Sequence, residues 1–436
     1  MTIHWTTEKL GNIVSHKKGF AFKSEWFQSS GVPVIKVTNF TDSSVDLCNL
    51  EYVSNSVATE TRDYKLARGD VIIQTVGSWP NNPQSVVGKV VRVPELLDGA
   101  LLNQNAVILR SKSKIRNDYL FYLLKDPSFK GFIINTAQGA ANQASITLES
   151  LFRYEFLLPP LETQEKIVAI LSAYNDLIGN NQRRIALLEK MAEEIYREWF
   201  VRLRFPGYEK VKTIKGVPEG WSFDKASKFF SLAKGKSYAA EELTDDRGQM
   251  PFINLKSFNR GGGYREDGLK YYSGRYKSEQ VVYQNDVVMA VTDMTQDRAV
   301  IGRVARMPEL GEKGAVISLD TVKLVPKDIH KTFLYAYMRH SGFANLIKEF
   351  ANGANVLHLK PDLITQQKII IPPIQLQNKF VPIAEPLYAE ADLLGKANTQ
   401  LVKMRDMLLP RLISGKLSVE HLDIRFPPGM EETICA

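Results

Sequence analysis

The feature that most constrains the fold of this chain is a heptad pattern between residues 157 and 204. Apolar side chains recur there in alternating steps of four and three residues, a period of about 3.5 that is typical of a coiled-coil seam. Asn181 is the only strongly polar residue of the seam. The seam positions are Ile167, Leu171, Tyr174, Ile178, Asn181, Ile185, Leu188, Ala192, Ile195 and Trp199. The pattern predicts a long helix that buries one narrow face along its whole length.

A second, weaker heptad pattern lies near the C-terminus. The segment in front of it, 371–377, repeats two prolines and a glutamine of the segment 158–164. Its seam positions are Phe380, Ala384, Leu387, Ala391, Leu394, Asn398, Leu401, Arg405, Leu408 and Leu412. Pro382 and Pro386 lie within the pattern, and we expect them to interrupt the first turns of the helix. Two amphipathic helices packed on separate cores would give similar patterns, so this alternative stays open.

Internal matches extend through both halves of the chain at an offset that stays between 213 and 218 residues. A nearly constant offset indicates a tandem duplication of a unit of roughly 215 residues. In each copy, short β-branched segments separated by Gly, Pro and Asn predict strands, followed by a brief helix and then the long helix. The matched positions are Trp5 and Trp221, Gly19 and Gly235, 33–40 and 251–258, Asp70 and Asp286, Gly88 and Gly302, Tyr119 and Phe333, and Gly139 and Gly353.

Composition excludes several classes of protein. The chain has 436 residues, of which 44% are hydrophobic, so it is long enough for more than one core. Its two cysteines, Cys48 and Cys435, lie too far apart in sequence to form a disulfide framework. We find no signal peptide and no apolar run of the roughly 18 residues that a membrane span requires. These features predict a soluble, cytoplasmic protein without a membrane partner.

The sequence offers no catalytic motif. It contains no Gly-rich phosphate loop of the Walker type and no Asn-Pro-Pro-Tyr-like methyltransferase motif. The six histidines show no metal-ligand spacing with either cysteine. The net charge of +8 is compatible with nucleic-acid binding, although no basic arm is present. We therefore expect no catalytic residue, no metal and no cofactor on this chain.

Several short segments are similar to those of a known family. They are Pro218-Glu219-Gly220-Trp221, Gly69-Asp70-Val71 with its counterpart Asn285-Asp286-Val287, and the Pro-Pro segments before the two long helices. Together with the duplication and the helix positions, they resemble the specificity subunit of type I restriction-modification systems over nearly the whole chain. The chain departs from the pattern where Asn285 replaces a glycine and where Glu162 has no counterpart before Gln377.

The resemblance implies a mixed α/β fold, with two tandem-repeated α/β target-recognition domains separated by two long antiparallel coiled-coil helices around a pseudo-two-fold axis. The expected parts are a first recognition domain at residues 1–160, a central helix at 161–204, a linker at 205–220, a second recognition domain at 221–373, a C-terminal helix at 374–416 and a tail at 417–436.

The resemblance also implies a function. Such a subunit performs no chemistry, binds a bipartite asymmetric site on double-stranded DNA, and directs two methyltransferase (modification) subunits to it, with restriction subunits joining in the larger complex. S-adenosylmethionine and ATP are then expected on the partner subunits only. The alternative is a coiled-coil scaffold or adaptor of an enzyme complex that uses the same helices and binds no DNA.

Polar loops between the predicted strands are the candidate DNA contacts, because amides, basic groups and hydroxyls read base edges. Loop 74–82 corresponds to 292–298, and loop 138–143 corresponds to 352–358. The base-contact candidates are Gln74, Thr75, Ser78, Trp79, Asn81, Asn82, Gln138, Asn142, Gln143, Thr292, Asp293, Thr295, Gln296, Arg298, Asn352, Asn355 and His358. The phosphate-contact candidates are Lys17, Lys18, Lys23, Lys234 and Lys236. Ordinary solvated surface loops and lysines are the alternative interpretation.

The two seam asparagines predict a register for the helix pair. An amide in an apolar seam loses stability unless it meets another polar group, so Asn181 and Asn398 should face each other. With antiparallel helices, this alignment places Trp199 opposite Phe380 and Tyr174 opposite Arg405.

Overall fold

The computed structural model describes residues 5–79, 86–139, 143–247 and 249–424, with the backbone alone described at Asp267. The chain divides into two compact units. Unit 1 comprises residues 1–179 and 398–436, and unit 2 comprises residues 180–397. Each unit therefore contains one α/β domain together with about half of each long helix, because the divisions fall inside both helices.

Unit 1 is built on a four-stranded antiparallel sheet whose strands, in spatial order, are Val14–Lys18, Ala106–Ser111, Val71–Gln74 and Val90–Arg92. A second four-stranded sheet has the order Phe27–Gln28, Glu51–Val53, Val32–Ile35 and Leu101–Leu102. Two strand pairs complete the β-structure, Thr6–Lys9 with Glu155–Leu158 and Val76–Gly77 with Ala144–Ser145. The short helices are Leu10–Ile13, Asn55–Glu60, Asn117–Lys125, Pro127–Thr136 and Leu148–Phe152.

Unit 2 repeats this plan. Its four-stranded antiparallel sheet has the order Phe230–Lys234, Thr321–Pro326, Val287–Ala290 and Val304–Arg306. Its five-stranded sheet has the order Leu243–Thr244, Lys270–Tyr272, Met250–Ile253, Ala315–Ile317 and Val281–Val282. The strand pairs are Ser222–Lys225 with Lys368–Ile371, Thr292–Asp293 with Leu357–His358, and Thr213–Ile214 with Val217–Pro218. The short helices are Lys331–His340, Phe343–Ile347 and Pro361–Gln366.

Asp70 and Asp286, the matched aspartates of the two copies, both pair with a basic side chain on the adjacent strand. Asp70 accepts hydrogen bonds from the Ala67 backbone and from the Arg110 side chain on the adjacent strand. Asp286 forms ion pairs with Lys323 on the corresponding strand and with Lys331 at the start of a helix, at 2.6 and 2.7 Å. Both carboxylates are buried, so a paired cation is required at each position.

Backbone conformation explains why Asn285 can stand before Asp286 where the first copy has Gly69 before Asp70. Gly69 has a φ of +81° and Asn285 has a φ of +65°. Both lie in the left-handed region, which glycine adopts freely and which asparagine tolerates better than most residues. The sequence difference therefore leaves the turn unchanged.

The first long helix spans Leu161–Tyr196 and continues as a π-helical turn at Arg197–Val201, and the second spans Ile374–Ile413. The predicted interruption at Pro382 and Pro386 is wrong, because the second helix is continuous through both residues. The two prolines lie four residues apart on the exposed face. The carbonyl groups of Asn378 and Pro382, which lose their amide partners, therefore lie on the side where water can hydrogen-bond to them.

Contacts within each unit show that the two helices run antiparallel, as predicted. In unit 1, Arg405 donates a hydrogen bond to the Asn175 side chain at 2.8 Å, next to its predicted partner Tyr174. In unit 2, the rings of Trp199 and Phe380 lie 6.0 Å apart, as the predicted register requires. Higher residue numbers on one helix thus meet lower numbers on the other.

Asn398 donates a weak hydrogen bond to the Ile178 carbonyl at 3.4 Å, one helical turn from Asn181. The side chain of Asn181 is buried. The direct pairing of Asn181 with Asn398 stays a prediction.

Candidate DNA-recognition site

In each unit, candidate residues at the ends of the strands lie at one end of the four-stranded sheet, here called the recognition end. In unit 2, the strand Val287–Ala290 ends at Ala290, which pairs with Thr321. Thr321 begins the neighbouring strand Thr321–Pro326. The next residue of that strand, Val322, pairs with Lys234, the last residue of Phe230–Lys234. The loop that follows Ala290 and the candidate Lys234 therefore lie at the same end. In unit 1, the pairs between Ala106 and Gln74 and between Val107 and Lys18 give the same arrangement.

Short strand pairs join the two candidate loops that are far apart in sequence. In unit 2, Thr292–Asp293 pairs with Leu357–His358, and the Thr292 hydroxyl lies 3.3 Å from Nδ1 of His358. The Gln296 amide also donates to the Ala354 carbonyl at 2.8 Å. In unit 1, Val76–Gly77 pairs with Ala144–Ser145 in the equivalent way. In each unit, the described residues around this strand pair therefore form one composite surface.

The buried Asp293 carboxylate fixes the conformation of the loop that follows it in unit 2. Its carboxylate accepts hydrogen bonds from the amide and hydroxyl of Thr295 at 3.0 and 2.8 Å, and from the amides of Val300 and Ile301 at 2.8 and 3.2 Å. Burial opposes ionisation of this carboxyl, but these hydrogen bonds outweigh burial and hold its pKa below the ordinary value. Asp293 is thus a positioning residue that remains charged and shapes the loop.

For four candidates, the predicted role as a base contact is wrong because the side chain is buried. Gln74, Thr75, Thr292 and Asp293 are all at most 5% exposed, so their side chains are not available at the surface. Gln74 donates instead to the Val76 carbonyl at 2.9 Å, and the Thr75 amide donates to a neighbouring loop. Polar residues at a strand end satisfy the backbone of the turn that follows, and sequence polarity alone does not distinguish this role from exposure.

The remaining base-contact candidates divide into exposed and half-buried side chains. The exposed ones are Gln138, Gln143, Thr295, Gln296, Asn352, Asn355 and His358. Half-buried are Ser78, Trp79, which packs against the core of unit 1, and Arg298, which pairs with Glu349 at 2.6 Å. Asn81, Asn82 and Asn142 lie outside the described residues. The role of these residues in DNA contact stays a prediction.

The lysine candidates are accessible. Lys18, Lys23 and Lys234 are exposed, whereas Lys17 and Lys236 are half-buried. The ammonium group of Lys17 lies 4.8 Å from the centre of the Tyr64 ring, and that of Lys23 lies 5.4 Å from the Trp26 ring. These cation–π contacts restrict the side chains while leaving the charges at the surface.

The second loop of each unit requires glycine. Gly139 and Gly353 have φ values of +153° and +149°. A Cβ atom at these positions would lie 2.0 Å from the Gln143 carbonyl oxygen and 1.9 Å from the Val356 carbonyl oxygen. No other residue fits such a close backbone approach, which explains the match between the two copies.

Sequence reasoning missed Arg260. Its guanidinium is exposed and pairs with Asp297 of the candidate loop at 3.1 Å, while the Gly261 amide donates to the Ala299 carbonyl. A third loop with positive charge therefore borders the composite surface of unit 2. The only signal in the sequence was an arginine followed by three glycines, 260–263, a pattern that suits close backbone approach.

Among the residues that the structure describes, we find no cluster of His, Cys, Asp and Glu that could hold a metal ion. Within the same part of the chain, no helix is both long and apolar enough to cross a membrane.

A duplicated α/β domain with polar loops at one sheet end, attached to an antiparallel pair of long helices, defines a class of proteins with two recognition modules. The profile of one family, described as type I restriction modification DNA specificity domain, matches twice, at residues 3–190 and 218–403. The chain belongs to this family, and its function is that of a DNA specificity subunit of a type I restriction-modification system.

Relatives cover most of the chain. The putative type I restriction enzyme MjaX specificity subunit of Methanocaldococcus jannaschii is 25% identical over 95% of this chain and 94% of its own length. The HindI specificity subunit of Haemophilus influenzae is 20% identical over 81% of this chain and 87% of its own. The crystal structure of the S subunit from M. genitalium shares the fold, with a TM-score of 0.58, 17% identity and coverage of 94% and 96% of the two chains.

Proposed function

We propose that each unit reads one half of a bipartite DNA site with the composite surface at its recognition end. The observation on which this proposal rests is that both units join two polar loops at the same sheet end by equivalent strand pairs. A scaffold that binds no DNA would have no need for two such surfaces. The basic residues beside them, among them Lys18 and Lys234, would neutralise phosphates and set the affinity without choosing the sequence.

The two surfaces differ in chemistry, so the half-sites should differ too. The strand Val76–Gly77 of unit 1 is followed by Ser78 and a half-buried Trp79. At the same place, unit 2 has an exposed Met294 followed by Thr295 and Gln296. Hydroxyl and amide groups hydrogen-bond to base edges, whereas an exposed methionine suits contact with an apolar base surface such as a thymine methyl group. An asymmetric site follows from this difference.

The chain itself would perform no chemistry, because it has none of the motifs that methyl transfer or nucleotide hydrolysis requires. We therefore assign S-adenosylmethionine and ATP to partner subunits. The long helices provide apolar surface for two modification subunits outside the seam. In unit 2, Leu187 and Met191 are exposed four residues apart on the first helix, and in unit 1 Met404 and Met407 are exposed on the second. Exposed apolar side chains at helical spacing favour a partner helix.

Mapping methylated adenines in host DNA, with and without this gene, tests the proposal most directly. The expected result is one bipartite sequence that loses methylation when the gene is deleted. Gln296→Ala should then relax recognition in one half-site only, while Gln143→Ala should affect the other, so that each variant serves as the control for its counterpart. Lys234→Ala should weaken binding to all sequences and reduce the salt slope by about 1. A chain without salt-dependent, sequence-selective affinity for duplex DNA would favour the adaptor alternative.

A further inference from the structure

The linker of unit 2 forms a hairpin whose tip has an unusual residue. The strands Thr213–Ile214 and Val217–Pro218 are joined by Lys215 and Gly216, whose φ values are +51° and +81°. Positive φ at both positions of a two-residue loop matches a turn that favours Asn-Gly. Lysine is disfavoured in the left-handed region, so the hairpin keeps an exposed positive charge at its tip at a cost in backbone strain.

Large apolar side chains are exposed around this hairpin. Ile214 is 60% exposed and Phe223 is 57% exposed, and Val201 and Tyr208 are exposed as well. These four residues, together with Lys210, Lys212 and Lys215, are called the linker surface below. A cluster of exposed large apolar residues beside positive charge is typical of an interface with another molecule.

Two cavities flank the hairpin within unit 2. One, of about 380 Å³, is lined mainly by apolar residues such as Val201 and Phe223, and also by Ser341 and Lys368. The other, of about 270 Å³, has a mixed lining that includes Arg202 and Arg204 beside Phe205 and Tyr208. Leu203 and Pro218 line both cavities. Their volumes lie near or below the lower limit for small-molecule sites of roughly 300–1,000 Å³, and the mainly apolar lining of the larger cavity favours occupation by an apolar side chain of a partner.

The charge of the linker surface identifies the complementary partner. Residues 202–215 contain five arginines and lysines and one glutamate, whereas the matching stretch 416–429 contains two residues of each sign. Arg202 and Arg204 are already paired with Glu198, at 2.5 and 3.6 Å. Lys210, Lys212 and Lys215 are exposed and have no ion-pair partner among the described residues. The linker surface therefore complements an acidic segment.

The position of the linker surface argues against a second contact with the recognised DNA. The strand Phe230–Lys234 has Lys234 at the recognition end and Phe230 at the opposite end, about 13 Å away at 3.3 Å per residue. The strand Ser222–Lys225, which contains Phe223, connects through residues 226–229 to Phe230. Phe223 and the hairpin before it therefore adjoin the end of the sheet opposite the recognition end. A protein partner is the simpler occupant at this distance from the DNA contacts.

We propose that the linker surface docks an acidic segment of a modification subunit, with an apolar side chain of that segment in the larger cavity. The inference rests on the proposed function, because a specificity subunit without a methyltransferase motif requires a modification subunit as its partner. Lysine side chains would steer the acidic segment and make its binding sensitive to salt, and the apolar side chains would provide the buried contacts.

The test uses the full chain and measures its affinity for the purified modification subunit by calorimetry at low and high salt. The charge variant is Lys212→Glu with Lys215→Glu, the apolar variant is Ile214→Asp, and the matched control is Lys313→Glu, an exposed lysine elsewhere in unit 2. We expect both linker variants to weaken binding at least tenfold and the charge variant to reduce its salt dependence. The control should bind like the unchanged chain.

Sequence-selective DNA affinity of the same variants separates this inference from the proposed function. Unchanged DNA affinity shows that the recognition domains are folded and that the loss concerns the partner. The inference is wrong if modification-subunit affinity stays within twofold in both linker variants. It is also wrong if only restriction-subunit binding falls, or if the charge variant loses DNA affinity in place of partner affinity. A chain that never binds DNA selectively would instead overturn the proposed function.

Discussion

Gln164 connects the first long helix to the recognition domain of unit 1, and its replacement by alanine is the most informative perturbation of the fold. The side chain is 0% exposed. Its oxygen accepts a hydrogen bond from the Arg116 amide at 2.9 Å. Its nitrogen donates to the carbonyl groups of Lys114 and Pro159 at 3.0 and 2.8 Å. One amide group thus joins the start of the long helix to the segment that begins helix Asn117–Lys125.

The expected loss follows from these contacts. Three intramolecular hydrogen bonds contribute about 1 kcal/mol each, and the half-buried Arg116 amide left without its acceptor adds a smaller penalty, so Gln164→Ala should cost about 3–4 kcal/mol. The equivalent Gln377 accepts from the His330 amide and donates to the Pro372 carbonyl, both at 2.9 Å. With two such bonds, Gln377→Ala should cost about 2–3 kcal/mol in unit 2.

Hydrogen exchange measured by mass spectrometry resolves the two units in one experiment. Gln164→Ala should reduce protection of Asn117–Lys125 and leave Lys331–His340 unchanged, and Gln377→Ala should do the reverse. Gln182→Ala, an exposed site on the same first helix, is the control and should change stability by less than about 0.5 kcal/mol. A loss below about 1 kcal/mol for Gln164→Ala, or equal loss of protection in both units, would refute the argument.

Three further outcomes are expected. Gly353→Ala should distort the second loop of unit 2 and weaken DNA binding at least tenfold in a salt-matched titration, because its Cβ would meet the Val356 carbonyl. Burial, with Arg339 and Arg197 nearby, lowers the pKa of His340 to about 3. As pH falls, His340 is therefore protonated in the unfolded chain before it is protonated in the folded chain. Unit 2 should therefore lose about 2 kcal/mol between pH 6.5 and pH 5 in urea unfolding, and His340→Gln should remove that loss. Exchanging residues 221–370 for a related domain should change one half-site only in a methylome map.

Much of the architecture was predictable because its determinants are local or periodic. A heptad pattern is a property of consecutive residues, so it indicates a long helix and its buried face before any tertiary contact is known. The duplication then predicted that both units share one plan, and matched residues such as Gly139 and Gly353 proved to have the same backbone conformation. The sequence did not predict that the second helix continues through Pro382 and Pro386. A helix tolerates proline where the carbonyl groups left without amide partners face solvent, and the exposed face is known only from the tertiary structure.

The candidate DNA-recognition site depended on the tertiary structure. Polarity and loop position identified the two loops of each unit, but only the strand pairing of Thr292–Asp293 with Leu357–His358 shows that they form one surface. Burial reassigned Asp293 from a base contact to a positioning residue, and an ion pair with Asp297 brought Arg260 into the site. Burial and long-range pairing are set by residues distant in sequence, so no local pattern can report them, whereas helical periodicity and glycine conformation are encoded within a few neighbouring residues.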